Sequence, residues 1–158
     1  MALFDKLLEE TPQLADGGFL FAATELATAV QYNIPAVWCV LNNAGWLSIR
    51  DLQIDALGAD RNYATEFLKD GKPYTPDIAG IAHDFGAWSE RVERPDEVGP
   101  ALKRALASGR PAVLEVTVNR EYPQSGGTVT GWWDVPIPTY LEDRRAKYER
   151  ERAEEQLH

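Results

Sequence analysis

Two short and nearly continuous apolar runs restrict what this chain can fold into. They are AVWCVL at positions 36–41 and PAVLEVTV at positions 111–118, and both are rich in β-branched residues. The first run is typical of a strand that is buried on both faces of a parallel sheet, and the second predicts another strand. Because parallel strands need long crossover connections, usually helices, the segments between such runs should be helical.

Segments with helical spacing do surround these runs. Apolar side chains recur at helical spacing over residues 19–33, and this helix should end before Pro35 because the residue preceding a proline avoids helical angles. The elements predicted after it are a helix behind Gly45, a surface loop at 56–73 with a short helix around 64–68, a helix at 75–85, a strand at 87–92 and a helix at 95–108. The alternation predicts an α/β fold, with a parallel sheet covered by helices on both faces.

The net charge, the apolar content and the single cysteine exclude several classes of function and indicate a location. The chain has 158 residues and a net charge of −9, whereas nucleic-acid binding needs clustered Lys and Arg, so we expect no nucleic-acid partner. No apolar stretch reaches the roughly 18 residues that span a bilayer, and residues 1–10 lack the features of a signal peptide. The single cysteine, Cys39, cannot form an internal disulfide, which indicates a reducing compartment and a cytoplasmic location.

Polar residues that could bind a ligand flank the first predicted helix and strand. Asp16 precedes Gly17 and Gly18, and Asn43 follows 27 positions later, at the end of the apolar run. If both segments lie at the carboxyl edge of one sheet, where ligands of open α/β folds bind, they should meet there. Glycine amides at a helix N-terminus would suit phosphate, while the Asp16 carboxylate, the Asn43 amide oxygen and the Gly45 carbonyl would suit Mg²⁺.

The same pattern resembles the thiamine diphosphate motif, in which a Gly-Asp-Gly triplet is followed at a distance by paired asparagines. Residues 15–119 are similar to the cofactor-binding domain of acetolactate synthase and its relatives. The resemblance implies a three-layer, Rossmann-like fold that binds thiamine diphosphate and Mg²⁺. It implies that Asp16, Asn43 and the carbonyl of Gly45 hold the metal.

The resemblance also implies cofactor contacts beside the metal. The amides of Gly17 and Gly18 would bind the diphosphate, and Ala44 and Trp46 would line the adjoining wall. Ala15 takes the first position of the triplet, where its methyl group would crowd the phosphate if the backbone there required a positive φ. The resemblance implies no catalytic side chain within this chain.

The C-terminal residues point to a particular branch of the family. The segment GWWDVPIPTYL, residues 131–141, resembles the C-terminus of the trihydroxycyclohexanedione and cyclohexanedione hydrolases. We expect residues 1–135 to form a cofactor-binding domain that lacks its N-terminal part. Residues 136–158, in which both signs of charge alternate, should form a charged C-terminal helix.

The active site of this family also requires a pyrimidine-binding domain. We therefore expect the site of this chain to be incomplete on its own, and to act as a lyase, transferase or hydrolase only with such a domain as partner. An apolar face without that neighbour should also favour a homo-oligomer. The alternative is a non-catalytic remnant, or an interaction module, that keeps the fold without turnover.

Overall fold

Alternating strands and helices follow the order that the sequence predicts. The structure is a computed structural model, and it describes residues 13–120 and 137–155. The strands are β1 (Gln13–Ala15), β2 (Val37–Asn42), β3 (Leu68–Lys69), β4 (Lys72–Pro73), β5 (Trp88–Val92) and β6 (Ala112–Thr117). The helices are α1 (Asp16–Ala22), α2 (Glu25–Gln31), α3 (Leu47–Leu57), α4 (Ile78–Asp84), α5 (Pro95–Ala107) and α6 (Glu142–Glu155).

The described residues divide into two compact units. The first comprises residues 13–45 and 67–120, and the second comprises residues 46–66 and 137–155. The expected boundary between residues 135 and 136 lies outside the described residues, as do residues 1–12 and the segment GWWDVP. That boundary therefore stays a prediction. Among the described helices, none is long and apolar enough to cross a membrane.

The first unit is built on a sheet of four parallel strands in the order β1-β2-β6-β5. The two apolar runs become its two central strands, which pair from Val37 beside Ala112 to Asn42 beside Thr117. Central parallel strands are covered on both faces, which explains why these segments carry little polar alternation. The predicted parallel sheet is confirmed.

Helices cover both faces of this sheet. On one face, α5 packs through Leu102 against Cys39 and Leu114, within a cluster of buried side chains. On the other face, residues of α1, α2 and α4 pack against Val40 and Val113. Odd and even positions of each central strand thus point to different clusters, as the period of two requires. The three-layer α/β fold is therefore confirmed.

The helix predicted at residues 19–33 differs from the structure in its start and in its continuity. Helix α1 begins at Asp16, so both glycines lie inside its first turn instead of in a separate turn before Phe19. Ala23 and Thr24 separate α1 from α2 while keeping right-handed helical angles. The amides of Leu26 and Ala27 bond to carbonyls three residues back, so the interruption is a local tightening of the helix.

The short helix predicted around residues 64–68 is wrong. Ala64 has a φ of 56°, which no right-handed helix contains, and Leu68 begins a strand. Strands β3 and β4 form an antiparallel hairpin through Asp70 and Gly71, whose φ values are 54° and 72°. Two positive φ values at an Asp-Gly pair are typical of a type I′ hairpin turn, so the sequence contained the correct signal.

The second unit contains α3, a 3₁₀ turn at Ala59–Arg61 and α6. Its apolar cluster joins Ala56 near the end of α3 to Ile137 and Leu141, which precede α6. The predicted helix behind Gly45 and the predicted helix in the charged tail are both present.

Candidate functional site

Asp16 lies at the carboxyl end of β1, as the first residue of α1, and its side chain is fully buried. Its Oδ1 accepts a hydrogen bond from the Gly17 amide at 2.9 Å, and its Oδ2 accepts one from the Gly45 amide at 3.1 Å. The two sequence segments therefore meet at one edge of the sheet. This contact uses the amide of Gly45, and the expected role of its carbonyl stays a prediction.

Burial dominates the electrostatics of Asp16. Desolvation raises the pKa of the carboxyl group, although the backbone amides near it, first those of Gly17 and Gly45, lower it. The amides of Gly17 and Gly45, from two segments, thus donate to one carboxyl group without fully compensating the loss of water. A cation beside it would favour the ionised form.

The two glycines of the motif occupy different environments. Gly17 is buried, whereas Gly18 is exposed, and a Cβ atom placed on Gly18 would meet no atom within 4 Å. The space beside Gly18, in the direction a side chain would take, is therefore open. Ala15 precedes it in an extended conformation, with φ −72° and ψ 157°. The condition for methyl crowding at Ala15, a positive φ, is not met.

Residues 42–45, which we call the Asn loop, connect β2 to the second unit. Ala44 has a φ of 57°, a left-handed conformation that alanine adopts rarely. Its amide donates to Asn42 Oδ1 at 3.2 Å, and its carbonyl accepts hydrogen bonds from the Phe67 amide and from Arg120, each at 3.0 Å. These contacts on both sides of Ala44 fix the turn that brings Gly45 to Asp16.

Asn43 supplies the second candidate metal ligand. Its Oδ1 is buried and has no hydrogen-bond partner among the described residues. A buried acceptor without a donor is costly in a folded protein, so this oxygen suits a cation. Trp46, the expected wall residue, belongs to the second unit, where its amide donates to the Thr65 carbonyl at 2.7 Å.

The donor set restricts how a metal could be held. Within residues 13–120 and 137–155, no group of three or more His, Cys, Asp or Glu side chains could hold a metal ion. A cation at Asp16 would thus draw most of its ligands from amide, carbonyl, water or phosphate oxygens. Oxygen ligands that include water and phosphate are typical of Mg²⁺. The residues present fit a magnesium ion that arrives with a phosphate ligand.

A polar network beside the Asn loop did not emerge from the sequence. Glu115 lies in β6 and is 1% exposed, with Oε1 accepting from Asn42 Nδ2 at 2.7 Å. Its Oε2 accepts from the Ala79 amide at 2.9 Å and pairs with Arg91 at 3.1 Å. The hydrogen bond to Glu115 raises the pKa of Arg91 above its ordinary value, although burial opposes the shift. The available signal was one glutamate inside an otherwise apolar run.

Sequence comparison places this edge of the sheet in a known family. The family model described as thiamine pyrophosphate enzyme, C-terminal TPP binding domain, matches residues 14–116. A probable acetolactate synthase large subunit of Methanocaldococcus jannaschii is 31% identical over 104 residues, covering 66% of this chain and 17% of the relative. A 3D-(3,5/4)-trihydroxycyclohexane-1,2-dione hydrolase of Shouchella clausii is 32% identical over 125 residues, covering 78% of this chain and 19% of the relative.

A solved structure agrees with the sequence relatives. The thiamine diphosphate-dependent 4-hydroxybenzoylformate decarboxylase of Rhodococcus jostii RHA1 superposes with a TM-score of 0.60 at 26% identity, over 69% of this chain and 19% of that one. The chain thus spans 17–19% of the length of these three proteins. The matched residues include the sheet edge with Asp16 and the Asn loop. The chain belongs to the thiamine diphosphate enzymes and carries their C-terminal cofactor-binding domain.

Proposed function

We propose that Asp16 and the Asn loop bind the diphosphate end of thiamine diphosphate through Mg²⁺. The observation that carries this proposal is a pair of buried oxygen groups that could act as metal ligands. Asp16 is fully buried, and Asn43 Oδ1 lacks a hydrogen-bond partner among the described residues. A hard dication would compensate both groups. We assign Asp16, Asn43 Oδ1 and the Gly45 carbonyl as the protein ligands.

The first turn of α1 would receive the diphosphate itself. Its amides at Gly17 and Gly18 lie next to Asp16, and the space over Gly18 is open. Amides in the first turn of a helix have no backbone partner within the helix, and they attract anions. The Gly17 amide, which donates to Asp16 Oδ1 at 2.9 Å, would share its hydrogen with the diphosphate. We keep Ala15, Ala44 and Trp46 as expected neighbours of the cofactor, as the family resemblance implies.

The relatives named above support the reaction class that we infer, and they are a probable acetolactate synthase, a trihydroxycyclohexanedione hydrolase and a 4-hydroxybenzoylformate decarboxylase. We infer a lyase, transferase or hydrolase that acts on 2-oxo acids or diketones in the cytoplasm. Thiamine diphosphate supplies carbanion-stabilising chemistry when it is bound. The residues of this chain would hold its diphosphate end, and a pyrimidine-binding domain, on a partner subunit or in a longer polypeptide, would complete the site.

The test is an NMR titration of the ¹⁵N-labelled chain with thiamine diphosphate and MgCl₂. Thiamine with MgCl₂ is the control, because it lacks the diphosphate. We expect thiamine diphosphate with Mg²⁺ to shift the amide signals of Gly17, Gly18 and Gly45. Neither thiamine with Mg²⁺ nor thiamine diphosphate without Mg²⁺ should shift them. Because one wall of the site is present, the Kd should be weaker than about 1 μM, which corresponds to −8.2 kcal/mol.

Three variants rank the proposed ligands. Asp16→Ala should abolish the Mg²⁺-dependent shifts, since it removes the only formal negative charge among the ligands. Asn43→Ala should weaken binding less, because water can replace a neutral amide oxygen in an octahedral shell. Ala15→Gly should change the Kd little, because Ala15 already has an ordinary φ of −72°.

Two results would contradict the proposal. If Asp16→Ala bound the Mg²⁺ cofactor complex as well as the parent chain, the ligand assignment would fail. If neither the parent chain nor its mixture with a pyrimidine-binding domain responded to the cofactor, the alternative would hold, and the chain would be an interaction module that keeps only the fold.

A further inference from the structure

Glu115 is a buried carboxylate that the proposed ligand set does not use. Three donors from three elements converge on it: the Asn42 amide group at the end of β2, the backbone amide of Ala79 in α4, and the Arg91 guanidinium of β5. Arg91 also pairs with Asp77, the N-cap of α4, at 2.6 Å. A buried charge with this many specific partners constrains their orientation.

The partners of Asn42 determine how its amide group is oriented. Its Nδ2 donates to Glu115 Oε1 at 2.7 Å and to Thr75 Oγ1 at 3.0 Å, while its Oδ1 accepts from the Ala44 amide at 3.2 Å. A flipped amide would place its oxygen against a carboxylate and its NH₂ against a backbone N–H. The carboxylate of Glu115 therefore selects the orientation in which Asn42 can accept from Ala44.

The Ala44 amide lies one residue before the amide that contacts Asp16. Ala44 adopts its left-handed conformation with its N–H held by Asn42, and the next amide, that of Gly45, donates to Asp16 Oδ2 at 3.1 Å. An unbroken series of contacts thus runs from β6 through the Asn loop to Asp16.

We propose that Glu115 is a positioning residue: through Asn42 it holds the Asn loop in the conformation that presents Gly45 and Asn43 to the cation beside Asp16. The effect of Glu115 on cofactor binding rests on the proposed function, whereas its effect on the conformation of the Asn loop does not. Glu115 touches neither the cofactor nor the metal in this scheme.

An isosteric exchange of hydrogen-bond polarity tests the proposal. In Glu115→Gln, the side-chain oxygen can still accept from the Ala79 amide and from Arg91. The new NH₂ group then faces the NH₂ group of Asn42. Asn42 must then flip, and Ala44 loses its acceptor. Adding Asn42→Asp restores every partner, because the new carboxylate accepts from the NH₂ group introduced on β6, from the Thr75 hydroxyl and from the Ala44 amide.

The readout is hydrogen exchange of the Ala44 and Gly45 amides in the ¹⁵N-labelled chain without cofactor. Loss of one hydrogen bond should speed exchange at both amides about tenfold in Glu115→Gln, and the double variant Asn42→Asp/Glu115→Gln should return to the parent rates. The matched control is Glu90→Gln, which also removes a carboxylate bound to an arginine, Arg104, but in β5 and without contact to the Asn loop. It should leave both rates unchanged.

A second readout is the Kd for thiamine diphosphate with MgCl₂, which should rise about tenfold in Glu115→Gln and recover in the double variant. The inference is overturned if Glu115→Gln leaves the exchange of Ala44 and Gly45 unchanged, or if the double variant fails to restore it. If Glu115→Gln does not fold, the double variant tests the inference by itself. It should fold, and its Ala44 and Gly45 amides should exchange at the parent rates. If the parent chain does not bind cofactor, the proposed function fails while the exchange experiment still judges Glu115.

Discussion

Asp16 combines full burial with a charge that its surroundings only partly support. The amides of Gly17 and Gly45 donate to it, yet desolvation still raises its pKa above the ordinary value of 3.8. The residue is therefore a source of instability in the absence of a cation and a source of affinity in its presence. Functional sites often carry this kind of cost.

The first prediction concerns the pH dependence of stability. Because the folded chain holds the Asp16 proton more tightly than the unfolded chain, the stability that Asp16 contributes is complete below about pH 3.8 and falls as the pH rises through the folded pKa. Relative to Asp16→Asn, which does not titrate, the parent chain should lose stability over this window in urea unfolding without Mg²⁺. A difference between parent and variant that stays constant with pH would contradict the argument.

Helix α5 contains two prolines in positions with opposite effects. Pro95 is the first residue of the helix, where a missing N–H costs nothing, whereas Pro100 lies inside the helix. At position 100 a proline removes the bond to the carbonyl of Asp96 and crowds the preceding turn. The helix still packs through Ala101, Leu102 and Ala105 against the sheet, so tertiary contacts override this local cost.

The second prediction uses these prolines as a matched pair. Pro100→Ala should raise the free energy of unfolding by about 2 kcal/mol, which is the helix-interior penalty reduced by the greater freedom of the unfolded chain. Pro95→Ala should leave stability unchanged or lower it slightly. Urea unfolding of both variants measures the difference. Equal effects at the two positions would show that the interior proline carries no penalty in this fold.

Elements with a strong local signal could be predicted from the sequence, and contacts between distant residues could not. Strands β2 and β6 were predictable because their apolar runs have a length and composition that few other structures accept. The helix at 64–68 was wrong because helical composition does not reveal a positive φ at Ala64. The meeting of Asp16 with Gly45 followed from strand-edge geometry, whereas Glu115 and Asn42 are 73 positions apart, and no local pattern connects them.

For the whole molecule, exposed apolar side chains suggest association. On the first unit, Phe21 is 77% exposed, Tyr32 is 68% exposed and Ile34 is 46% exposed. Contiguous exposed apolar patches mark protein interfaces, and we expect these three side chains to contribute to such a patch. Together with the proposed need for a pyrimidine-binding domain, they favour a chain that does not function as an isolated monomer.

The third prediction is that the chain forms a homo-oligomer when no other partner is present. Light scattering across a range of protein concentrations should give a mass that rises above 17.6 kDa. Phe21→Ser/Tyr32→Ser should shift the mass toward the monomer, while Tyr140→Ser, an exposed change on the second unit, should not. A strictly monomeric mass at every concentration would count against self-association.

The strand order of the sheet also governs the timing of folding. Its two central strands, β2 and β6, join Val37 to Ala112, so the sheet cannot close until 75 further residues have been made. At the usual pace of translation this delay is about 4–15 s. Throughout that interval one edge of an apolar strand has no partner, and an unpaired edge is a template for other nascent chains. Newly made copies are therefore most vulnerable to misassembly on the ribosome, before β6 emerges.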